Sequence, residues 1–185
     1  MSEPRRRFGR LPGDPPKAEM IARMIRVDQA GEYGAKRIYA GQLAVLGESA
    51  DAPVLRKMAA TEEEHLARFD ALIRARRVRP TALQPLWHAA GFALGYGTAM
   101  LGREAAMACT VAVEEVIEEH YANQAAMLSD EDAELKSTIE EFRLHEIEHR
   151  ETALAEGARQ APGYPLLTAA VKAGSRLAIW LSERI

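Results

Sequence analysis

The chain has 185 residues, 24 Lys and Arg against 27 Asp and Glu, and a formal net charge of −3. That length suits one domain with a sizeable core, and the slight acidity argues against general nucleic-acid binding. Aromatic residues are only 6% of the chain, alanine is abundant and β-branched runs are few, which favours an all-α fold over sheets. The single cysteine, Cys109, excludes an intramolecular disulfide framework and fits a reducing compartment. Its Ala-Met-Ala-Cys-Thr-Val setting marks a buried structural thiol rather than a nucleophile.

Residues 1–19 are rich in Arg, Pro and Gly, with four arginines by position 10. Glu3, Asp14 and the lack of an amphipathic stretch argue against a transit peptide, and the lack of an apolar segment argues against a secretory signal. The expectation is a disordered basic tail over 1–19, one suited to acidic lipid, before a single domain over 20–185.

Helical periodicity begins at about Lys17 and runs to Leu46, with a seam of Ile21, Ile25, Asp28, Glu32, Ala35, Tyr39 and Leu43. After a turn over Gly47–Pro53, a second helix reaches about Arg77 on a seam of Leu55, Met58, Glu62, His65, Phe69 and Leu72, and Pro80 breaks it. Thr81 to Gly102 contains no Asp, Glu, Lys or Arg. Its length matches a membrane span, but Pro85, His88, Gln84 and glycines at 91, 95, 97 and 102 make a poor one. It is read as an extra apolar helix over the bundle or dipping into a membrane interface, with Trp87, Phe92 and Tyr96 as interfacial anchors. The alternative is a core hairpin helix. His88 there is structural or interfacial.

A third bundle helix spans about Arg103 to Leu128, with Met107, Val111, Glu114, Glu118 and Tyr121 on its seam. A fourth starts near Ser129, an N-cap followed by acidic residues, and carries Leu135, Ile139, Phe142, Glu146, His149 and Ala153 to a stop at Gly157. A last amphipathic helix, Leu166 to Ile185, has Leu167, Val171, Leu177, Trp180 and Leu181 flanked by Lys172, Arg176 and Arg184, which suits a membrane-facing helix or a bundle cap.

Two Glu-x-x-His steps stand out, Glu62 to His65 and Glu146 to His149, each preceded by a glutamate on the helix before, Glu32 and Glu114. Glu32 and Glu114 are 82 residues apart; the Glu-x-x-His steps are 84 apart, as an internal duplication would give. All six residues fall on apolar seams, where a solvated glutamate has no place. Unpaired buried carboxylates cost several kcal/mol each, on the order of what would unfold a bundle. Two divalent ions balance four carboxylates, so the pattern points to a dimetal site inside a four-helix bundle. Oxygen and nitrogen ligands suit iron or manganese, and the pattern does not choose between them.

Neighbouring residues divide by register. Of Glu62, Glu63 and Glu64, only Glu62 has the step to His65; of Glu114 and Glu115, only Glu114 is on the seam. Glu118 faces inward as a supporting group or a ligand that shifts in on redox change. Asp28 either holds a ligand imidazole by its free N–H or pairs with an arginine. His120 and His145 lie beside the seams as peripheral or supporting histidines.

The segments RVDQAGEYGAKRIYAGQ (26–42), EEEHL (62–66), LGREAAMACTVAVEEVIEEHY (101–121), FRLHEIEH (142–149) and AGSRLAIWLSERI (173–185) resemble the demethoxyubiquinone hydroxylase family, a membrane-bound branch of the ferritin-like di-iron proteins. The resemblance covers nearly everything after residue 20. Gln29 stands where many members have histidine, at a position that is not a ligand. The resemblance implies a ferritin-like four-helix bundle holding two irons: Glu32, Glu62 and His65 on one, Glu114, Glu146 and His149 on the other, with Glu62 and Glu146 bridging. It implies O2-dependent ring hydroxylation of a polyprenylated methoxy-methyl benzoquinol late in ubiquinone synthesis, with NADH as electron source. Tyr121 and His120 become candidates for electron relay or substrate contact. It further implies a lipid-binding partner protein and a peripheral position on the cytoplasmic face of a bacterial membrane, or the matrix side of a mitochondrial inner membrane. No Gly-x-Gly-x-x-Gly fingerprint follows a strand, so any NADH site is not of the Rossmann type. The competing expectations are a ferritin-like iron-storage or peroxide-detoxifying protein, which leaves 81–102 unexplained, and a non-enzymatic lipid-binding bundle, which makes the six seam residues incidental.

Overall fold

In a computed structural model of the protein, residues 15–185 are described. They form six helices: α1 (Lys17–Leu46), α2 (Ala52–Ala75), α3 (Gln84–Met100), α4 (Arg103–Met127), α5 (Ala133–Ala155) and α6 (Tyr164–Ser182), with no strand among the described residues. The all-α, ferritin-like bundle is formed by α1, α2, α4 and α5. The expected tail falls mainly on residues outside those described; helix is already present at Lys17.

Local chemistry sets the helix ends. Pro53 sits in the first turn of α2 and Pro165 in that of α6, where a missing N–H costs nothing. Ser129 opens a short 3-10 turn over Asp130–Asp132, with its hydroxyl 3.0 Å from the Asp132 carboxylate, and α5 follows directly. Gly157 ends α5 at φ +90°, a left-handed conformation that a side chain would strain.

The bundle core is layered along its axis. One apolar layer contains Ile25, Phe69, Leu72, Tyr121, Leu135, Ile139 and Phe142. The other contains Tyr39, Leu55, Met58, Met107, Val111 and Ala153. In chain order Glu32, Glu62, Glu114 and Glu146 lie between residues of these two layers, so the carboxylates occupy a polar belt at mid-bundle. Cys109 is buried, and burial pushes its thiol up to about 12, in keeping with an inert packing residue.

Within residues 81–102 a helix, α3, spans Gln84–Met100, and it is a surface helix rather than a core hairpin. It lies closely on α1, and only its Gly95, Thr98 and Ala99 are buried. A Cβ on Gly95 would run into the Ile38 carbonyl, and one on Gly41 into the Phe92 carbonyl, so both backbones approach to a distance only glycine permits. No described helix is long and apolar enough to cross a membrane.

The interfacial anchors are redistributed. Trp87 turns inward and donates its indole N–H to Ser182 Oγ on α6 at 3.0 Å. Phe92 lies under the Arg37 guanidinium, 5.1 Å from its ring centre. The exposed apolar groups of this surface are Leu86, Tyr96, Met100 and Leu101, joined on α6 by Leu166, Leu177 and Trp180. A helix that is apolar all round gives no periodic signal for which residue turns in; the glycines made that choice here. His88 accepts or donates a 2.7 Å hydrogen bond with the Tyr33 hydroxyl of α1, a structural role. On α6, Lys172 pairs with Glu115 and Arg176 with Glu119 (3.2 Å), so these cations clamp α6 to α4, and Arg184 stacks on Trp180.

Gly95→Val should therefore lower the thermal midpoint by roughly 3–10 °C, since overpacking costs about 1–3 kcal/mol. Gly97→Ala, where a Cβ meets nothing within 4 Å, should leave it unchanged or raise it slightly. Thermal denaturation followed by circular dichroism separates the two, and equal midpoints would refute the close-contact account.

Candidate metal centre

Each of the four bundle helices contributes to one buried cluster. Glu32 comes from α1, Glu62 and His65 from α2, Glu114 from α4, and Glu146 and His149 from α5; all are buried. The three-residue step places each Glu and His on one helix face. Ligand atoms of Glu32, Glu62, His65 and Glu146 lie within 4.8 Å of one another, as do those of Glu62, Glu114, Glu146 and His149. The two groups share Glu62 and Glu146. His65 Nδ1 is 3.4 Å from Glu32 and 3.3 Å from Glu146, while His149 Nδ1 is 3.0 Å from Glu62 and 3.8 Å from both Glu114 and Glu146.

The donor set fits a pair of cations. Glu62 Oε1, Glu146 Oε1 and both histidine Nδ1 atoms are buried without a hydrogen-bond partner among the described residues. Lone pairs converging in this way on a buried centre lack only positive charge. The electrostatics agree. Burial, reinforced by neighbouring carboxylates, holds Glu62 and Glu146 well above the ordinary range, and burial lifts Glu114 to about 7. Glu32 alone is held low: against its burial, the His65 imidazole and the Tyr121 hydroxyl stabilise its charge. Burial and the nearby His65 push His149 down to about 4, leaving a neutral imidazole fit to ligate.

Two tyrosines cross-brace the cluster. Tyr121 on α4 donates its hydroxyl hydrogen to Glu32 on α1. Tyr39 on α1 donates to Glu114 on α4 at 2.9 Å. Burial and the adjacent carboxylates raise both phenols well above their usual value, so both remain donors. Tyr39 lies on the predicted seam of α1, where position alone assigns it only to packing. The signal was in the repeat: Tyr39 and Tyr121 are separated by the same 82 residues as Glu32 and Glu114, as are Gln42 and Gln124. Gln124 donates to Asp28 at 2.7 Å, and Gln42 donates to Ala106 O (3.0 Å) and Thr110 Oγ1 (3.4 Å).

Other predicted groups fall outside the cluster or take different partners. Glu118 binds Arg143 at 2.6 Å and Arg150 at 3.4 Å, and is in neither metal-competent group. Asp28 is buried but serves neither proposed partner; it meets His120 Nε2 at 3.2 Å and Gln124. His120 is thus tied to Asp28 at the edge of the site, beside Tyr121 rather than in the centre; the Asp28 hydrogen bond raises it against the effect of burial. His145, expected beside the seam, touches His65 directly: His65 Nε2 and His145 Nδ1 are 2.9 Å apart. Glu63 pairs with Lys36 at the surface. Gln29 bonds Asp70 at 3.0 Å, away from the cluster.

Two openings approach the centre. A groove of about 610 Å³ between α2 and α5 is walled by Lys57, Met58, Thr61, Glu64, His145 and His149. On the opposite side an apolar cleft of about 370 Å³ lies between α3 and α6, floored by Val27, Gly31, Gly34 and Ile38 of α1 and Val113 and Ile117 of α4. Gly31 and Val113 are the chain neighbours of Glu32 and Glu114. The rim of the cleft joins the exposed apolar faces of α3 and α6.

The family described as "Ubiquinone biosynthesis protein COQ7" matches residues 19–182. The chain is 62% identical over 177 residues to the 3-demethoxyubiquinol 3-hydroxylase of Rhodospirillum rubrum, covering 95% of this chain and 84% of that one. It is 54% identical over 169 residues to the human mitochondrial NADPH-dependent 3-demethoxyubiquinone 3-hydroxylase (89% and 78% covered), and 44% identical over 186 residues to the mitochondrial 5-demethoxyubiquinone hydroxylase of Saccharomyces cerevisiae (91% and 80% covered). A match of this extent, over all six helices, shows that the chain belongs to the COQ7 family of ubiquinone biosynthesis proteins.

Proposed function

We propose that this protein is a dimetal monooxygenase that hydroxylates the ring of a polyprenylated methoxy-methyl benzoquinol. The observation that carries this is the pair of four-residue groups sharing Glu62 and Glu146 in the buried core, backed by an apolar cleft that reaches the flanks of Glu32 and Glu114. Ring hydroxylation replaces a C–H by C–OH, takes one oxygen atom of O2 into the product and, with two electrons and two protons, releases the other as water. Glu32, Glu62 and His65 would hold one iron and Glu114, Glu146 and His149 the other, with Glu62 and Glu146 common to both groups. Bound iron would supply electrons for the reduction of O2. Tyr39 and Tyr121 keep their protons, fix the rotamers of Glu114 and Glu32, and soften the charge of those two carboxylates. The apolar layers above and below exclude water from the belt.

The cleft between α3 and α6 suits a polyprenyl tail: its walls are small or apolar, and its mouth opens on the two faces that carry the exposed Leu86, Met100, Leu101, Leu177 and Trp180. A peripheral enzyme lying on these faces draws its substrate straight from the bilayer. The same surface is available to a lipid-binding partner protein. His120 and Tyr121 stand at the edge of the site as candidates for electron relay or substrate contact. Where the resemblance implied NADH, the names of the human and rat relatives carry NADPH; the donor class is reduced nicotinamide nucleotide, and both forms belong in the assay.

Purified protein should contain two irons per chain and convert the quinol only with O2. Glu62→Ala should lower turnover at least about 100-fold with loss of metal, because a bridging ligand serves both positions. Fewer than two metals per chain, or full activity of that variant, would overturn the dimetal function.

Charge balance predicts a pH dependence. The raised carboxylates stabilise the metal-free fold fully below their ordinary value of 4.5, and that contribution is lost as pH rises through the folded values, near 7 for Glu114. His149 acts in the opposite sense, losing stability as pH falls from 6.5 to about 4. Above about pH 6.5 His149 contributes no further change, and His120, whose value is also raised, acts in the same sense as the carboxylates, so the midpoint of metal-free protein should fall toward about pH 8.5, and loading with Fe(II) should flatten the curve. A metal-free midpoint that rises over this interval would contradict the proposed charge balance.

Liposome flotation tests the outer faces. Leu101→Glu with Trp180→Glu should reduce binding more than Trp87→Gln with Phe92→Gln, since the latter two turn toward α6 and Arg37. The reverse order would place the membrane surface elsewhere.

A further inference from the structure

The internal repeat pairs residues across the two halves, and the pairs closest to the metals match: Glu32 with Glu114, Glu62 with Glu146, His65 with His149, Tyr39 with Tyr121, Gln42 with Gln124. One step further out the match fails. His145 corresponds to Thr61. His145 Nδ1 meets His65 Nε2 at 2.9 Å, with the two ring planes within 4° of parallel, and Phe142 stacks on the His65 ring with centroids 3.9 Å apart. Thr61 instead directs its hydroxyl back to the Lys57 carbonyl of its own helix at 3.4 Å. His149 has no hydrogen-bond partner among the described residues, and its edge forms part of the groove wall between α2 and α5.

The tautomers follow from the geometry. A metal on His65 Nδ1 needs that nitrogen unprotonated, so the proton sits on Nε2 and is donated to His145 Nδ1. That contact fixes the ring's rotation and increases the basicity of its ligating nitrogen. His149 receives neither benefit from a protein group; its Nε2 side has only the groove.

Resting on the dimetal reading above, we propose that His145 is a positioning residue that makes the two metal positions inequivalent, so that the position built on Glu32 and His65 binds metal more tightly than the one built on Glu114 and His149. The consequence is an ordered centre. The first position fills first and holds its ion, and the second exchanges through the α2/α5 groove. A metal-ligand histidine that loses its hydrogen-bonded support gives up about 10–100-fold in affinity, which sets the size of the difference.

The test separates the positions and reads metal affinity rather than turnover. Anaerobic Fe(II) titration against a coloured chelator is run on His149→Ala, which leaves the Glu32–His65 position, and on His65→Ala, which leaves the other. The first should bind about 10-fold tighter or more. Adding His145→Leu should weaken binding in the His149→Ala protein by a similar factor and leave the His65→Ala protein unchanged. His145→Asn, whose amide oxygen can accept the same proton, should restore part of the loss, and circular dichroism confirms that each variant is folded. Equal affinity of the two positions, or an equal effect of His145→Leu in both backgrounds, would overturn the proposal while leaving a two-iron wild type intact. A wild type that binds no iron would instead remove the dimetal reading beneath it.

Discussion

Four carboxylates buried within one mid-bundle belt are the constraint on which the rest of the structure depends. In an apolar core they must be protonated, paired or metallated, and each alternative reaches outward into the fold. The belt can be tolerated only because complete apolar layers close it off on both sides, with Phe69, Ile139 and Phe142 at one end and Leu55, Met107 and Val111 at the other. It can be held rigid only because α1 and α4 exchange tyrosine hydroxyls across the site. Metal binding at this belt would therefore draw on the same free energy as folding.

The second constraint is geometric. Helix α1 has two working faces: one bears Asp28, Glu32 and Tyr39, and the other bears Gly34, Ile38 and Gly41 against α3 or the cleft. A helix buried on both sides is usually apolar throughout. Here the polar side is hidden by the bundle, and the small residues of the other side let α3 lie flat against the backbone. Close contact between α1 and α3, with α6 held off on the far side by its ion pairs to α4, leaves the apolar cleft between them.

Much of this was legible in the chain. Helix ends followed from Pro53, Pro80, Ser129 and Gly157, and on the four bundle helices every seam residue but Leu43 and Glu118 is buried, because a 3.6-residue period with charges inside it has few solutions. The further buried positions of α1 and α4, such as Met24, Ile38, Ala106 and Ala112, lie beside the seams because α3 and α6 cover a second face of those helices. The six candidate ligands do come together in space. What stayed hidden has physical reasons. Trp87 and Phe92 lie in a segment apolar on every side, so no periodicity fixed their direction. Asp28 had two reasonable partners and took a third, His120, because helix register does not specify the angle at which α4 crosses α1. The contact between His145 and His65 joins α5 to α2, and only the packing of those helices brings it about. Tyr39 is different: the 82-residue offset that relates the glutamates also relates the tyrosines, and it contained the information in plain form.

The crossed tyrosines bear on ancestry. Each half of the chain carries a glutamate whose hydroxyl donor belongs to the other half, and Glu62 and Glu146 each belong to both metal-competent groups, which are completed across the same divide. A half-length chain with one Tyr, one Glu and one Glu-x-x-His could satisfy none of these groups alone. It could do so as a symmetric pair, each copy's tyrosine meeting its partner's glutamate about a two-fold axis through the belt. Joining two such copies end to end preserves that axis in a single chain while freeing each half to differ, and His145 in one half where Thr61 stands in the other is a difference that a homodimer of identical chains could not carry.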